Sequence, residues 1–219
     1  MAAVSTATQL EIVQVTGDQV VKLPSVGWAT YKLLDDERGV QRGTPFTYSE
    51  GVLQIMANGR EHERLNAYLV RLVDLLAEEF DLDFEPCGST TMRREDLEKG
   101  FEPDSCFYFS NVAIIRQKKE INLAIDPPPD LVIEIDITSS SLNRLPIFAA
   151  VGVPEVWRYE NGAIKIYQLQ GGIYDETEQS MWLPQINATQ LAEWLAMSWD
   201  MRRQQWVKAV RAELQVKQA

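Results

Sequence analysis

Three carboxylates carry the chemistry that this chain offers. In the run Asp130–Thr138, DLVIEIDIT, alternation along an extended strand puts Leu131, Ile133, Ile135 and Ile137 on one face. Val132, Glu134, Asp136 and Thr138 take the other, so the two acids stand about 7 Å apart on one side of a strand that is otherwise apolar. Ionised carboxylates in such a place are costly unless they are paired or hold a metal. A third acid, Asp104, follows Pro103 and opens DSCFYF, a second β-prone run. If the two runs are neighbouring strands, Asp104 and Glu134 face each other with Cβ atoms about 5 Å apart. Two hard oxygen ligands at that spacing suit Mg²⁺ or Mn²⁺, with water and a substrate phosphate completing the shell. An ion held in this way activates water and stabilises charge in phosphodiester hydrolysis. The same residues also fit a turn proline and a capping aspartate, and the pattern alone leaves both open.

The rest of the composition narrows the field by exclusion. The 219 residues carry 21 Lys and Arg against 32 Asp and Glu, a net charge of −11. That is the wrong sign for a protein that coats nucleic acid by neutralising phosphates, but it does not exclude an enzyme with metal-binding acids and a local basic strip. His62 is the one histidine, which removes HExxH and multi-histidine metal sites. Cys87 and Cys106 form no Cys-x-x-Cys pair, which points away from a disulfide framework and towards a reducing cytoplasm. No Walker loop, dinucleotide-binding glycine motif or nucleophile elbow occurs. No apolar stretch of about 18 residues occurs, and the N-terminus lacks the basic-then-apolar order of an export signal; the expectation is a cytoplasmic protein that meets no membrane.

The elements that must position these acids are readable in outline. A chain of this length buries about 70% of its surface, which favours one substantial core. Residues 1–24 read as a lead-in, with a strand near 10–15, followed by a short amphipathic piece at 26–34. Ser49-Glu50-Gly51 between β-prone runs predicts a hairpin over 46–56. Asn58-x-x-Glu61 has capping-box spacing, and Leu65, Leu69, Leu72, Val73 and Leu76 predict a helix over 60–80. Strands follow at 84–91 and 104–109, then the strand at 130–138, delivered by Pro127-Pro128-Pro129. Asn143 is placed to cap a short helix over 144–151, and Asn161-Gly162 predicts a hairpin between strands 153–159 and 163–169. Helices near 189–197 and 201–214 end the chain, the last with Arg202, Arg203, Lys208, Arg211 and Lys217 against Glu213. The fold class is α/β (α+β), with one mixed central sheet flanked by helices.

Several ordered motifs resemble those of the Uma-two family, bacterial proteins classed by similarity as restriction endonucleases in the PD-(D/E)XK nuclease superfamily. They are Tyr48–Met56 (YSEGVLQIM), His62-Glu63, Gly88–Thr91 (GSTT), Gly100–Asp104 (GFEPD), Pro129–Glu134 (PDLVIE) and Gly152–Trp157 (GVPEVW). The resemblance implies a restriction-endonuclease-like mixed sheet and a nuclease-like domain over 25–195, leaving 196–219 as a C-terminal basic helix. It also implies a divalent-metal site built from Asp104 and Glu134. The superfamily places a lysine two residues after the second acid, where this chain has Asp136. The nearest downstream cation is Arg144, at the start of the helix that follows. In many family members that helix carries a lysine, so the resemblance makes Arg144 a candidate relocated replacement, beside its plainer reading as a solvent-exposed helix-start residue. Arginine stabilises phosphate charge bidentately but does not deprotonate water.

His62 reads either as a general base or phosphate contact, or as a surface residue in a first helical turn. Glu50 is a candidate third metal ligand beside its plainer reading as a solvated turn acid. Gln54, Glu63 and Ser139–Ser141 carry less signal, and the tryptophans read as packing residues. The expected partners are DNA as substrate and a second copy of the chain in a homodimer. Against the reading as a metal-dependent endonuclease stands that of a nuclease fold without catalysis, serving as a nucleic-acid-binding or protein-interaction module.

Overall fold

The computed structural model describes residues 11–14, 17–39, 43–137 and 143–218. In chain order its elements are β1 (Glu11–Gln14), β2 (Gln19–Leu23), α1 (Trp28–Glu37), β3 (Phe46–Ser49), β4 (Val52–Ala57), α2 (Arg60–Phe80), β5 (Glu85–Pro86), β6 (Met92–Arg94) and β7 (Lys99–Phe101). They continue with β8 (Ser105–Tyr108), α3 (Val112–Ile115), β9 (Leu131–Asp136), α4 (Leu145–Val151), β10 (Glu155–Glu160), β11 (Ala163–Gln170), β12 (Ile173–Thr177), α5 (Ala188–Met197) and α6 (Arg203–Gln218).

The mixed α/β class holds, but the strands divide into two six-stranded sheets rather than one. The first, in the order β1-β2-β4-β3-β7-β6, is antiparallel throughout. The second, β12-β11-β10-β9-β8-β5, is mixed, because β9 and β10 run parallel around the α4 crossover. The division falls at Glu102-Pro103-Asp104, between β7 of the first sheet and β8 of the second. Pro103 has no N–H to give a ladder, so the strand cannot continue through it, and the chain changes sheets there. Asp104 therefore sits at the junction.

Alternation along β9 builds two cores at once. Leu131, Ile133 and Ile135 join Trp157, Ile164 and Ile166 beneath α2, α5 and α6, where Leu65, Leu69, Trp194 and Trp206 are buried. Val132 faces the opposite way, into a second core with Cys106, Val156, Phe148 and Val151. With both faces covered, the polar members of the second face, Glu134 and Asp136, are enclosed by design of the fold.

The helix expected over 60–80 is α2, and its buried positions include Leu65, Leu69, Leu72, Val73 and Leu76. Its N-cap is Gly59 with no side-chain cap, so the capping box expected from Asn58 and Glu61 does not form; Asn58 Nδ2 instead donates to Glu63 at 3.0 Å. The strand expected over 84–91 shrinks to the two residues of β5, and β12 is an addition that its exposed, polar sequence hid. Asn161 and Gly162, with φ of 50° and 84°, form the tight turn between β10 and β11 that requires positive φ at both centres.

Neither end is an appendage to a central domain. β2, an unexpected strand within the stretch read as a lead-in, pairs with β4 across five residues, and α6 buries Trp206, Val210 and Leu214 in the main core. Gly100 lies under α1: a Cβ there would stand 2.0 Å from the Tyr31 hydroxyl, which is itself buried. Gly100→Ala is therefore expected to cost about 1–3 kcal/mol by overpacking. Its melting temperature should fall by several degrees; an unchanged melt would show that α1 moves aside freely.

Candidate metal and nuclease site

The register of β8 against β9 pairs Ser105 with Ile133, which sets Asp104 opposite Glu134 at the strand entrance. The expected juxtaposition is thus formed. Asp104 is fixed from three directions. Its Oδ2 accepts the Ile135 backbone N–H at 2.7 Å, its carbonyl accepts from Asn66 Nδ2 at 3.0 Å, and its Oδ1 lies 2.9 Å from His62 Nε2.

His62 is fully buried in the first turn of α2, not at the surface. Its Nδ1 lies 3.2 Å from Asp18 Oδ2, and Asp18 in turn accepts the Gly59 N–H, at 2.5 Å, at the helix N-terminus. Burial by itself lowers an imidazole's pKa. Here Asp104 and Asp18 flank the ring and outweigh burial, holding it up to about 10. The ring is an imidazolium at neutral pH, a fixed cation beside Asp104. A cation is a poor general base, so the geometry gives His62 the role of holding Asp104.

Glu134 meets its own cation. Its Oε2 accepts from Arg144 Nη1 at 2.7 Å, and the same nitrogen reaches the Glu102 carbonyl at 3.4 Å. Burial raises the Glu134 carboxyl to about 8; Arg144 opposes this and the charge of Asp104 adds to it. The other oxygen, Oε1, is buried without a hydrogen-bond partner. Arg144 is the N-cap of α4, yet it is turned inward and buried rather than solvated. Asp136, one step further along the same face, accepts from Arg158 Nη2. Arg158 lies on β10, directly beside Glu134 in the parallel register.

Glu134, Asp136, Arg144 and Arg158 line one recess of about 30 Å³, with Asp18 and Asn143 at its wall. Glu50 is not among them. It is exposed in the β3–β4 turn with φ of 53°, at the far end of β4 from Met56, which does line the recess. That end lies about 20 Å away along the strand, so Glu50 does not serve as a third ligand. Ser139–Ser141 fall outside the described residues. Two members of the site went unread in the sequence: Asp18, which holds His62, and Arg158, which holds Asp136.

Whether these residues suit a divalent ion turns on their free lone pairs. Among the described residues, no group of three or more His, Cys, Asp and Glu side chains is arranged to hold a metal. Mg²⁺ needs less, because it is commonly held by one or two carboxylates, with water and substrate phosphate filling the rest. Glu134 Oε1 is an orphaned buried acceptor, whereas Asp104 Oδ1 faces His62 Nε2 at 2.9 Å. The unpartnered Glu134 oxygen, opposite an Asp104 carboxylate whose oxygens keep lone pairs beyond the contacts they make, fits such an ion, with Asp104 and Glu134 as its holders.

The chain matches the family described as "putative restriction endonuclease" (Uma2) over residues 28–201, and it belongs to that family. Among solved structures it is similar to "a putative nuclease belonging to DUF820" from Anabaena variabilis ATCC 29413. The TM-score is 0.50 at 13% identity, over 68% of this chain and 90% of that one, a likeness of fold. No curated protein matches the chain. Among the described residues no helix is long and apolar enough to cross a membrane.

Proposed function

We propose that the protein is a divalent-metal-dependent endonuclease that hydrolyses phosphodiester bonds in DNA, with Mg²⁺ or Mn²⁺ held by Asp104 and Glu134. The observation that carries this reading is the pair of facing, buried carboxylates, one of which, Glu134, has an oxygen left without a hydrogen bond. When bound, the ion would activate water and draw charge from the phosphate. The chain's own part is positional. The Ile135 N–H and His62 fix the Asp104 carboxylate, and Arg144 orients Glu134 and favours its charged form. The two cysteines are free thiols, which suits the cytoplasm.

One observation favours the second reading, a nuclease fold used for binding alone: both acids already have fixed cations, His62 and Arg144. The two are separated by incubating supercoiled plasmid and single-stranded DNA with the protein and Mn²⁺. Wild type is expected to nick at least one of them, and Asp104→Ala and Glu134→Ala to lose about 1000-fold in rate with the ion's several kcal/mol. Equal, residual cleavage by all three would leave the binding module. The dependence of rate on protein concentration shows in the same assay whether a second copy takes part.

A further inference from the structure

Two arginines line the recess, and their surroundings differ. Arg144 has 6% of its side chain exposed, and Nη1 serves both Glu134 and the Glu102 carbonyl. It is sealed in by the junction between the sheets. Arg158 has 24% of its side chain exposed. Among the described residues its one hydrogen bond leaves from Nη2, to Asp136, and Glu160 Oε1 lies 3.9 Å from the same nitrogen. Nε and Nη1 make no hydrogen bond to the described residues.

The size of the recess decides which of the two a substrate meets. About 30 Å³ admits a water or a small ion. A phosphodiester group is larger, so it has to lie across the mouth, where the accessible guanidinium is that of Arg158. On the basis of the nuclease reading above, we infer that Arg158 is the residue that binds the substrate phosphate at this site, with Asp136 as its positioning partner. Arg144 acts through Glu134. Asp136 holds one edge of the guanidinium and so presents the other edge, with its parallel N–H donors, in the fork geometry that phosphate oxygens accept. The acid standing where the superfamily has a lysine thus anchors a cation supplied from the neighbouring strand.

The test is binding without turnover. A fluorescein-labelled DNA duplex is titrated with protein in EDTA, by anisotropy, across a series of salt concentrations. Four proteins are compared: wild type, Arg158→Lys, Asp136→Asn, and the double variant Asp136→Asn with Arg158→Gln. The double variant removes both members of the ion pair and leaves no unpaired charge behind, and thermal melts report that each protein is folded. Loss of a charged phosphate contact is expected to weaken binding by the double variant about tenfold. It should also flatten the slope of log K against log salt by about 0.9, the share of one phosphate. Arg158→Lys should keep that slope, and Asp136→Asn should keep the slope and bind at least as tightly as wild type.

A merely structural ion pair would move the melting temperatures without changing the slope. A double variant with wild-type affinity and slope therefore overturns the assignment of Arg158 while leaving the nuclease reading intact. A wild type that binds no DNA at any salt overturns both.

Discussion

Arg144→Ala is expected to destabilise the protein by about 3 kcal/mol, the cost of stranding one member of a buried ion pair. Glu134 would keep its enclosed position with neither oxygen satisfied, since Oε2 now depends on Arg144 and Oε1 has no hydrogen bond. The loss should be greatest above about pH 8, where Glu134 would otherwise ionise. Adding Glu134→Gln should return most of the stability, because the charge that needed a partner is gone. Urea melts of the two single variants and the double variant form the cycle. Strictly additive effects would mean that the two side chains are not coupled, contrary to the 2.7 Å contact between them.

The metal-free protein should lose about 5 kcal/mol of stability as pH rises from about 6.5 to 10. His62 has an ordinary pKa of 6.5 and stands at about 10 when folded, between Asp104 and Asp18. Across that window the folded state holds a proton that the unfolded state has released, so stability falls with rising pH. The contribution is complete below 6.5 and is gone once the pH passes about 10. Glu134 acts in the same direction lower down: a carboxyl raised from 4.5 to about 8 makes the folded state the better proton binder between those values. His62→Gln should flatten the upper part of the curve, and Asp18→Asn should reduce its slope. Urea midpoints at about pH 6.5, 8 and 9.5 measure this; a wild-type curve that rises over the range would show that His62 is not held as a cation.

What could be read from the sequence was local in origin. Strand alternation in 131–136 depends only on period two, and it correctly separated the apolar face of β9 from the face that carries Glu134 and Asp136. The α2 stripe and the Asn161-Gly162 turn are equally local signals. Asp104 is legible because Pro103-Asp104 opens the β-prone run DSCFYF, and that run does pair with β9.

What stayed hidden depends on distant pairing. Arg158 is beside Glu134 only because β9 and β10 run parallel in a particular register, and nothing in the residues themselves announces that register. Asp18 reaches His62 from the turn before β2, 44 positions away, as one acid among many. Pro103 was read as part of an acid motif and not as the break that divides the strands between two sheets. In the sequence His62 and Arg144 also fit surface positions at helix starts, yet both are buried, because the acids they contact are buried too.

The central claim is that Asp104 and Glu134 hold a divalent ion. It is tested most directly by soaking crystals in Mn²⁺ and computing an anomalous difference map, which requires no guess about the substrate. The expected result is a peak between the two carboxylates that is absent from crystals of Asp104→Ala. A map with no peak there, or with Mn²⁺ bound only at other acids such as Glu50, would contradict it.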